Sequence, residues 1–186
     1  RPAQPLSPSN LGGAKAIPGD GLDEDTAKAR GTAIHLLLEY LPTVPAADHG
    51  ALAATLIPDA TLRADVLPEA LATIAAHPAL FTADTLTEVE ITAELLGRTM
   101  RGTIDRLIIT PDRVTAIDYK TNRVIPARPQ DTPDGILRQM GAYAHALAQI
   151  YPGRRIDTAI LWTREARLMP LPPDIVSASL SCTTIP

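Results

Sequence analysis

The amino-acid sequence predicts an α/β fold in which a central mixed β-sheet is flanked by helices. Apolar residues recur at helical spacing before residue 80 and again near the middle of the second half, whereas residues between about 86 and 120 alternate with a period of two. The predicted order is helices, three strands, a helix and two strands, which is typical of such a sheet. The helix that joins the third and fourth strands predicts a right-handed crossover, so those two strands should be parallel.

The first 80 residues are predicted to be an irregular lead-in followed by helices. Residues 1–22 are rich in Pro, Gly and Ser and are assigned to the lead-in, and the domain itself is assigned to 23–186. A helix is predicted over about 25–41, because apolar residues there fall on one face, namely Ile34, Leu37, Leu38 and Leu41. Residues 46–80 are expected to form two or three short helices, since three prolines interrupt them, namely Pro58, Pro68 and Pro78.

The second half is predicted to hold the sheet. Alternating or β-branched segments predict five strands, at 86–93, 99–109, 114–120, 157–163 and 166–170. The stretch 134–151 predicts a helix with a single apolar stripe, formed by Ile136, Met140, Tyr143, Leu147 and Ile150. A final short helix is expected after Pro173.

Composition restricts the possible function without deciding it. The net charge is −4, but residues 1–93 carry −7 and residues 94–186 carry +3, and the basic excess is almost entirely arginine. Arginines bind phosphate in a bidentate way, yet they also solvate ordinary surfaces, so both interpretations stay open. Cys182 is the only cysteine, which excludes an intrachain disulfide and a multi-cysteine metal site. It favours a reducing compartment, so we expect a cytoplasmic location.

The ends and the hydropathy of the chain lead to two further expectations. No apolar run is long enough to span a bilayer and no signal peptide is visible, so we expect no membrane partner. The sequence begins with Arg1 rather than Met, and we therefore expect a fragment excised from a longer protein.

Two acidic residues on neighbouring predicted strands carry the chemistry. If residues 110–113 form the loop of a hairpin, the register places Asp105 opposite Asp118. Directly opposed residues have Cβ atoms about 4.5–5.5 Å apart. Lys120 lies two residues after Asp118 and therefore on the same face of its strand. The sequence thus predicts that two carboxylates and a lysine converge.

Carboxylates this close repel each other unless one is protonated or a cation lies between them. Oxygen ligands suit Mg²⁺, or alternatively Mn²⁺, which also bind substrate phosphate. Lys120 could then activate a water molecule or stabilise charge on the phosphate. The alternative is an ion pair on an exposed sheet face. The apolar run before Asp118 and the register of Asp105 favour the metal site.

Three further residues have both a structural and a functional interpretation. His35 borders the apolar face of its helix, so it is either a packed polar residue or a metal ligand. Gln139 and Tyr143 are four residues apart and share a helix face. Tyr143 belongs to the apolar stripe, so this pair either completes the core or faces the site and holds Lys120, a water molecule or DNA.

Four segments together resemble the ordered motifs of RecB-type nucleases, which belong to the PD-(D/E)XK superfamily. They are Arg-Gly-Thr-Ala-Ile-His at 30–35, Gly-Thr-Ile-Asp-Arg-Leu at 102–107, Ile-Asp-Tyr-Lys-Thr-Asn at 117–122 and Gln-Met-Gly-Ala-Tyr at 139–143. The resemblance covers about residues 5–170, and it is strongest to the C-terminal nuclease domain of the AddA subunit of bacterial AddAB helicase–nucleases.

This resemblance implies a role for each matched residue. It implies metal ligation by His35, Asp105, Asp118 and the carbonyl of Tyr119, and catalysis by Asp105, Asp118, Lys120, Gln139 and Tyr143. Glu88, on the neighbouring strand, is a weaker candidate for an accessory acid. The resemblance also implies an exodeoxyribonuclease that acts on DNA in double-strand break repair, together with a helicase motor in the parent chain and an AddB-like second nuclease subunit.

Two alternatives remain beside this expectation. One is a stand-alone nuclease of repair or phage type, and the other is a non-catalytic DNA-binding scaffold of the same fold. The chain contains no phosphate-binding loop of the G-x-x-x-x-G-K-[ST] type and lacks the cysteines of the iron–sulfur relatives. Arg101, Arg106, Arg123 and Arg128 are candidate DNA contacts because they lie near the motifs.

Overall fold

A five-stranded sheet forms the centre of the protein. The structure, a computed structural model, describes residues 4–16 and 23–183. The strands are β1 (Leu86–Leu95), β2 (Arg98–Ile109), β3 (Arg113–Lys120), β4 (Arg155–Trp162) and β5 (Arg167–Leu171), in the spatial order of the sequence. β3 and β4 are parallel and the other neighbours are antiparallel. The predicted mixed sheet and the predicted parallel pair are therefore confirmed.

Five α-helices surround the sheet in the described residues. They are α1 (Glu24–Tyr40), α2 (His49–Leu56), α3 (Ala60–Ala76), α4 (Asp134–Ile150) and α5 (Pro173–Ser181). Two aspartates start the first and third of these helices by accepting backbone hydrogen bonds: Asp23 accepts from Thr26, and Asp59 accepts from Thr61 and Leu62. α4 is the crossover between the two parallel strands.

The prediction that Pro68 interrupts the helical region was wrong. α3 continues through Pro68 for 17 residues, although a proline inside a helix removes a hydrogen bond and costs about 3 kcal/mol. Burial of Val66, Ala70 and Thr73 on one side of α3 offsets that cost. Ile150 was also misplaced. It is 41% exposed at the last residue of α4, whereas the rest of the predicted stripe is buried.

Each face of the sheet has its own hydrophobic core. On one face, α4 packs against alternate residues of β3 and β4, such as Ala116 and Ile160. On the other, α1 and α3 pack against the intervening residues, such as Ile117 and Leu161. This division follows from the two-residue period of strands buried on both faces.

Residues 4–16 of the lead-in lie against the sheet. β3 pairs with β2 only as far as Arg106, so the preceding half of β2 has a free edge. Leu6 occupies that edge in a parallel bridge to Met100: the Leu6 N–H donates to Thr99 O, and the Arg101 N–H donates to Leu6 O, both at 2.8 Å. Leu6 and Leu11 are buried in the core beside α4. No helix in residues 4–16 or 23–183 is long and apolar enough to cross a membrane.

Candidate active site

The β2–β3 hairpin has the register that the sequence predicts, and it opens at the two acids. Arg106 pairs with Ile117, so Asp105 and Asp118 are the next residues in register. The ladder stops there, and the carboxylate of Asp105 instead accepts the Tyr119 backbone N–H at 2.6 Å through Oδ2. A side chain has thus replaced a backbone acceptor. Asp105 and Asp118 line one cleft of about 610 Å³.

His35 extends from α1 to the point where the hairpin opens. Its Nδ1 lies 3.2 Å from Asp105 Oδ1, and its Nε2 lies 3.3 Å from the carbonyl oxygen of Tyr119. The ring also contacts the Tyr119 ring edge-on, with centroids 5.4 Å apart. The structure therefore brings together three groups that the resemblance implied, namely the His35 imidazole, the Asp105 carboxylate and the Tyr119 carbonyl.

Lys120, Asp118 and the α4 pair form a connected polar group on the other side of the cleft. Lys120 Nζ lies 2.6 Å from Asp118 Oδ2 and donates to Gln139 Oε1 at 3.2 Å. The Gln139 amide N–H group donates to Asp118 Oδ1 at 2.9 Å, and it also lies 3.2 Å from the Tyr143 hydroxyl. The Tyr143 hydroxyl donates to Thr103 O at 2.6 Å. Gln139 and Tyr143 thus face the site as well as the core.

Burial and neighbouring charges shift the pKa values of three groups in the cleft, namely Asp118, His35 and Tyr143. Burial raises the pKa of Asp118, although Lys120 opposes that shift and Asp105 adds to it. For His35, burial lowers the pKa, but the hydrogen bond and charge of Asp105 outweigh burial, and the net pKa is raised. Burial and the charge of Asp118 raise the pKa of Tyr143, so its hydroxyl stays a hydrogen-bond donor.

Glu88 is held close to the same ligands by an unusual backbone. Its φ is +49°, in the left-handed region, and it is left out of the β1–β2 ladder although its neighbours Thr87 and Val89 pair in register. His35, Glu88 and Asp105 each offer one ligand atom, and these atoms all lie within 4.8 Å of one another. Burial, and then the charge of Asp105, raise the pKa of Glu88. Such strain costs about 1–3 kcal/mol and is common at functional sites.

These donors fit a hard divalent cation. Carboxylate and carbonyl oxygens are the ligands that Mg²⁺ and Mn²⁺ prefer, and an imidazole is compatible with Mn²⁺. Asp118 Oδ2 is buried and has no well-aligned hydrogen-bond donor in the described residues, although the Lys120 ammonium lies beside it. A buried carboxylate oxygen in that condition is suited to a cation.

The sequence itself connects this geometry to known proteins. Residues 10–170 match the PD-(D/E)XK nuclease superfamily, and the match includes every strand of the sheet except the last residue of β5. The chain belongs to the PD-(D/E)XK nuclease superfamily. An Asp-x-Lys pair, Asp118 and Lys120, lies at the end of β3 within the matched residues.

One solved structure shares the fold of this PD-(D/E)XK domain. A candidate exonuclease from Eubacterium rectale is similar over 87% of this chain and 65% of that protein, with a TM-score of 0.56 and 14% identity. The chain therefore spans less than two thirds of that protein's length. The match to SSO0001 covers 98% of this chain and 76% of that protein, with a TM-score of 0.39 and 14% identity. The match to VC1899 from Vibrio cholerae covers 84% of this chain and 50% of that protein, with a TM-score of 0.36 and 13% identity. No curated protein matches.

For one of the four arginines that were candidates for DNA contact, the prediction was wrong. Arg106 is buried: it donates to the Tyr119 hydroxyl, to Leu38 O and to Thr85, and it lies over the Phe81 ring. It supports the packing behind the PD-(D/E)XK site, and Tyr119, whose pKa is raised to about 12 by burial, is its partner. Arg128 is exposed and bonded to Asp131, whereas Arg101 lines the cleft.

Two features of the site were not predicted from the sequence. Glu88 was a weaker candidate for an accessory acid because it lies on the neighbouring strand, but no local pattern predicts its left-handed backbone. Ser7, Pro8 and Ser9 also line the cleft, and the Pro/Gly/Ser composition of the lead-in gave no signal for that role.

Proposed function

We propose that this chain is a metal-dependent DNA nuclease domain that hydrolyses phosphodiester bonds. The observation that carries the proposal is the convergence of Asp105 and Asp118 in one cleft, where Lys120 pairs with Asp118 and His35 reaches Asp105 from α1. The membership of a nuclease superfamily supports the reaction class. The alternative of a non-catalytic scaffold has less support, because a scaffold has no need of this complete set.

The proposed metal ligands are His35, Asp105, Asp118 and the Tyr119 carbonyl, and Glu88 is added to them. The spacing of the ligand atoms of His35, Glu88 and Asp105 supports these three ligands, whereas Asp118 and the Tyr119 carbonyl are proposed from the resemblance. Mg²⁺ is the proposed ion, with Mn²⁺ as a substitute, because the donors are mostly oxygens. When bound, the ion supplies Lewis-acid stabilisation of the negative charge that develops on the phosphoryl group.

Lys120 is the proposed catalytic cation. Its ammonium group lies between Asp118 and Gln139, so two acceptors hold it and a further N–H can point at a substrate oxygen. In this position it donates a hydrogen bond to the phosphate as negative charge accumulates there, or it orients the attacking water. Gln139 and Tyr143 fix the direction of Lys120 and Asp118 through their hydrogen bonds.

The wider biological role is a proposal that rests on the motifs. The order of the four segments and the residues in them resemble those of AddA, so we propose an exonuclease that acts on DNA ends in double-strand break repair and recombination. Its proposed partners are a helicase motor in the same parent chain and an AddB-like nuclease subunit. The upstream sequence of the parent gene is the direct test, since a helicase motor before Arg1 supports this role and its absence supports a stand-alone nuclease.

Removal of each proposed catalytic group tests the activity. Asp118→Asn and Lys120→Ala should each lower Mg²⁺-dependent degradation of linear DNA by about a hundredfold or more, because each removes a group that acts on the reacting phosphate. Circular dichroism should show an unchanged fold. Calorimetry should show weaker Mg²⁺ binding in Asp118→Asn, and EDTA should stop cleavage by the unaltered chain.

Matched substitutions away from the cleft provide the controls. Asp157→Asn removes a carboxylate from β4, where Asp157 pairs with Arg113 and Arg155, and Lys28→Ala removes an exposed lysine from α1. Both should keep full activity. Undiminished cleavage by Asp118→Asn or by Lys120→Ala would eliminate the proposed mechanism.

A further inference from the structure

The cleft is lined, besides its acidic residues, by polar side chains that the catalytic proposal does not use. We name Ser7, Ser9 and Arg101 the outer wall, since all three line the cleft that also holds Asp105 and Asp118. Two hydroxyls and a guanidinium are the groups that proteins use to contact the DNA phosphate backbone. In the described part of the chain, Arg101 is the sole lysine or arginine that lines this cleft.

The backbone of the outer wall is fixed rather than loosely placed. Leu6 is held to both sides of Met100 by two backbone hydrogen bonds of 2.8 Å, one of which comes from the Arg101 N–H. Two residues after Leu6, Pro8 is buried against Gly102, where an added Cβ atom would lie only 2.7 Å from Pro8 Cγ. Gly102 therefore leaves the room that lets the lead-in close over β2.

The lead-in is also fixed beyond the serines. The Gly135 N–H at the start of α4 donates to Ala14 O at 2.8 Å, and a Cβ at Gly135 would meet the carbonyl oxygens of Gly13 and Ala14 at 2.7 Å. Leu11 is buried between these two attachments. Ser7 and Ser9 thus lie on a segment that is held at both ends, and their hydroxyls lie 2.9 Å apart.

The side chain of Arg101 is available to a ligand. It is exposed, and its guanidinium makes no ion pair or hydrogen bond within residues 4–16 and 23–183. Two other exposed arginines are engaged, since Arg128 pairs with Asp131 and Arg155 pairs with Asp157. A cation without a partner in a cleft that also contains Glu90 and two catalytic carboxylates is suited to an anion that enters from outside.

We propose that the outer wall binds a phosphate of the bound DNA strand that lies beyond the immediate neighbour of the scissile phosphate, and this proposal rests on the proposed DNA nuclease function. Arg101 lies four residues before Asp105 on β2, which is about 13 Å of extended strand. That separation exceeds the rise of about 3.4 Å between neighbouring nucleotides of one B-form strand. The outer wall therefore contacts a more distant phosphate and sets the path of the DNA strand through the cleft.

Loss of the guanidinium should weaken DNA binding without changing the chemical step. In an Asp118→Asn background, which prevents cutting, Arg101→Gln should raise the Kd for a short fluorescein-labelled oligonucleotide about tenfold. It should also reduce the slope of log Kd against log salt concentration by about one, as expected for one lost phosphate contact. In the catalytically intact chain, Arg101→Gln should raise KM for linear DNA and leave kcat unchanged. Ser7→Ala/Ser9→Ala should raise Kd severalfold with a smaller effect on the salt slope.

The control variants match these changes in charge and composition. Arg155→Gln removes one exposed arginine at the end of β4 remote from Lys120, since Arg155 pairs with Arg113 at the start of β3. Ser177→Ala/Ser181→Ala removes two exposed serine hydroxyls from α5. Both controls should retain the Kd, the salt slope and the KM of the parent.

The outcomes separate this proposal from the proposed function. If Arg101→Gln binds DNA with an unchanged Kd and an unchanged salt slope, the outer wall does not bind phosphate, even where Mg²⁺-dependent cleavage by the parent chain shows the nuclease function to be right. If the parent chain cuts no DNA in Mg²⁺, the nuclease function fails. The binding measurements still decide the role of Arg101 in that case. A Kd for Arg155→Gln raised as much as that for Arg101→Gln would also overturn the proposal, because the effect would then be net charge alone.

Discussion

At the scale of single residues, the site depends on how a buried carboxylate is partnered. Asp118 is only 3% exposed, and a charge in that environment costs several kcal/mol unless it is paired and hydrogen-bonded. The ammonium of Lys120 and the amide of Gln139 supply those partners. The amide acts in both directions, because its oxygen accepts from Lys120 while its nitrogen donates to Asp118. Gln139 therefore positions both proposed catalytic groups.

Substitution of Gln139 should lower turnover more than substrate binding. Gln139→Ala should reduce kcat for linear DNA about ten- to a hundredfold, because Lys120 and Asp118 lose their common partner, while KM should change little. Steady-state kinetics in Mg²⁺ measures both constants. Gln149→Ala is the control on the same helix, since Gln149, near the exposed end of α4, bonds to Glu94 and His145 alone among the described residues. A pure rise in KM for Gln139→Ala would contradict the positioning role.

The titrating groups of the cleft predict how metal and pH act together. The pKa values of His35, Glu88 and Asp118 are all raised by folding. A group with a raised pKa binds more protons in the folded state, so its contribution to stability is present at low pH and is lost as pH rises through the raised pKa. The ordinary values lie near 4 for carboxylates and 6.5 for histidine, and the loss should therefore begin above about pH 4 and extend beyond about pH 6.5.

Thermal unfolding measures this coupling directly. In EDTA, Tm should fall as pH rises from about 5 to 8, because the uncompensated charges accumulate. Saturating Mg²⁺ should raise Tm, and the rise should be larger at the higher pH, since protons no longer compete with the ion. A Mg²⁺-induced rise in Tm that is equal at the two pH values would show that these groups do not hold the ion.

At the scale of elements, α3 connects the two parts of the chain that carry the site. Arg30, on the helix that bears His35, is buried and pairs with Asp65 and Glu69 of α3. Glu69 also accepts from the Thr163 hydroxyl at 2.6 Å, and Thr163 lies 3.3 Å from the carbonyl oxygen of Lys120. α3 thus links α1 to the end of β3.

The two acidic partners of Arg30 should differ in energetic importance. Glu69→Ala should lower the free energy of unfolding by about 3 kcal/mol, because it leaves a buried guanidinium without its main partner. Asp65→Ala should cost at most about 1 kcal/mol, since the Asp65 side chain is 53% exposed against 10% for Glu69. Urea unfolding of both variants measures the difference. Equal losses would mean that Arg30 is not held mainly by Glu69.

At the scale of the whole molecule, the sheet is shared by two cores that face opposite sides. Trp162 is the single tryptophan and is buried in the core beside α4. The helices that precede the sheet, α1 to α3, pack in the other core. The strands β3 and β4 contribute alternate side chains to both cores. Because both cores use the same strands, unfolding of β3 and β4 disrupts both cores together.

Unfolding should therefore be a single cooperative transition. Trp162 fluorescence and far-ultraviolet circular dichroism should give the same urea midpoint, because the first reports one core and the second is weighted towards the helices of both. A dichroism midpoint at lower urea than the fluorescence midpoint would instead indicate that α1–α3 unfold as a separate unit.

Local patterns in the sequence determined the order of elements, the hairpin register and the convergence of Asp105, Asp118 and Lys120. Strand periodicity and turn length act over a few residues, so they can be deduced without the fold. Three features were decided only by tertiary structure: the unbroken α3 across Pro68, the left-handed Glu88 and the placement of the lead-in along β2. In each, a locally unfavourable or unstructured segment is stabilised by groups distant in sequence, and such long-range packing energy leaves no periodic trace in the chain.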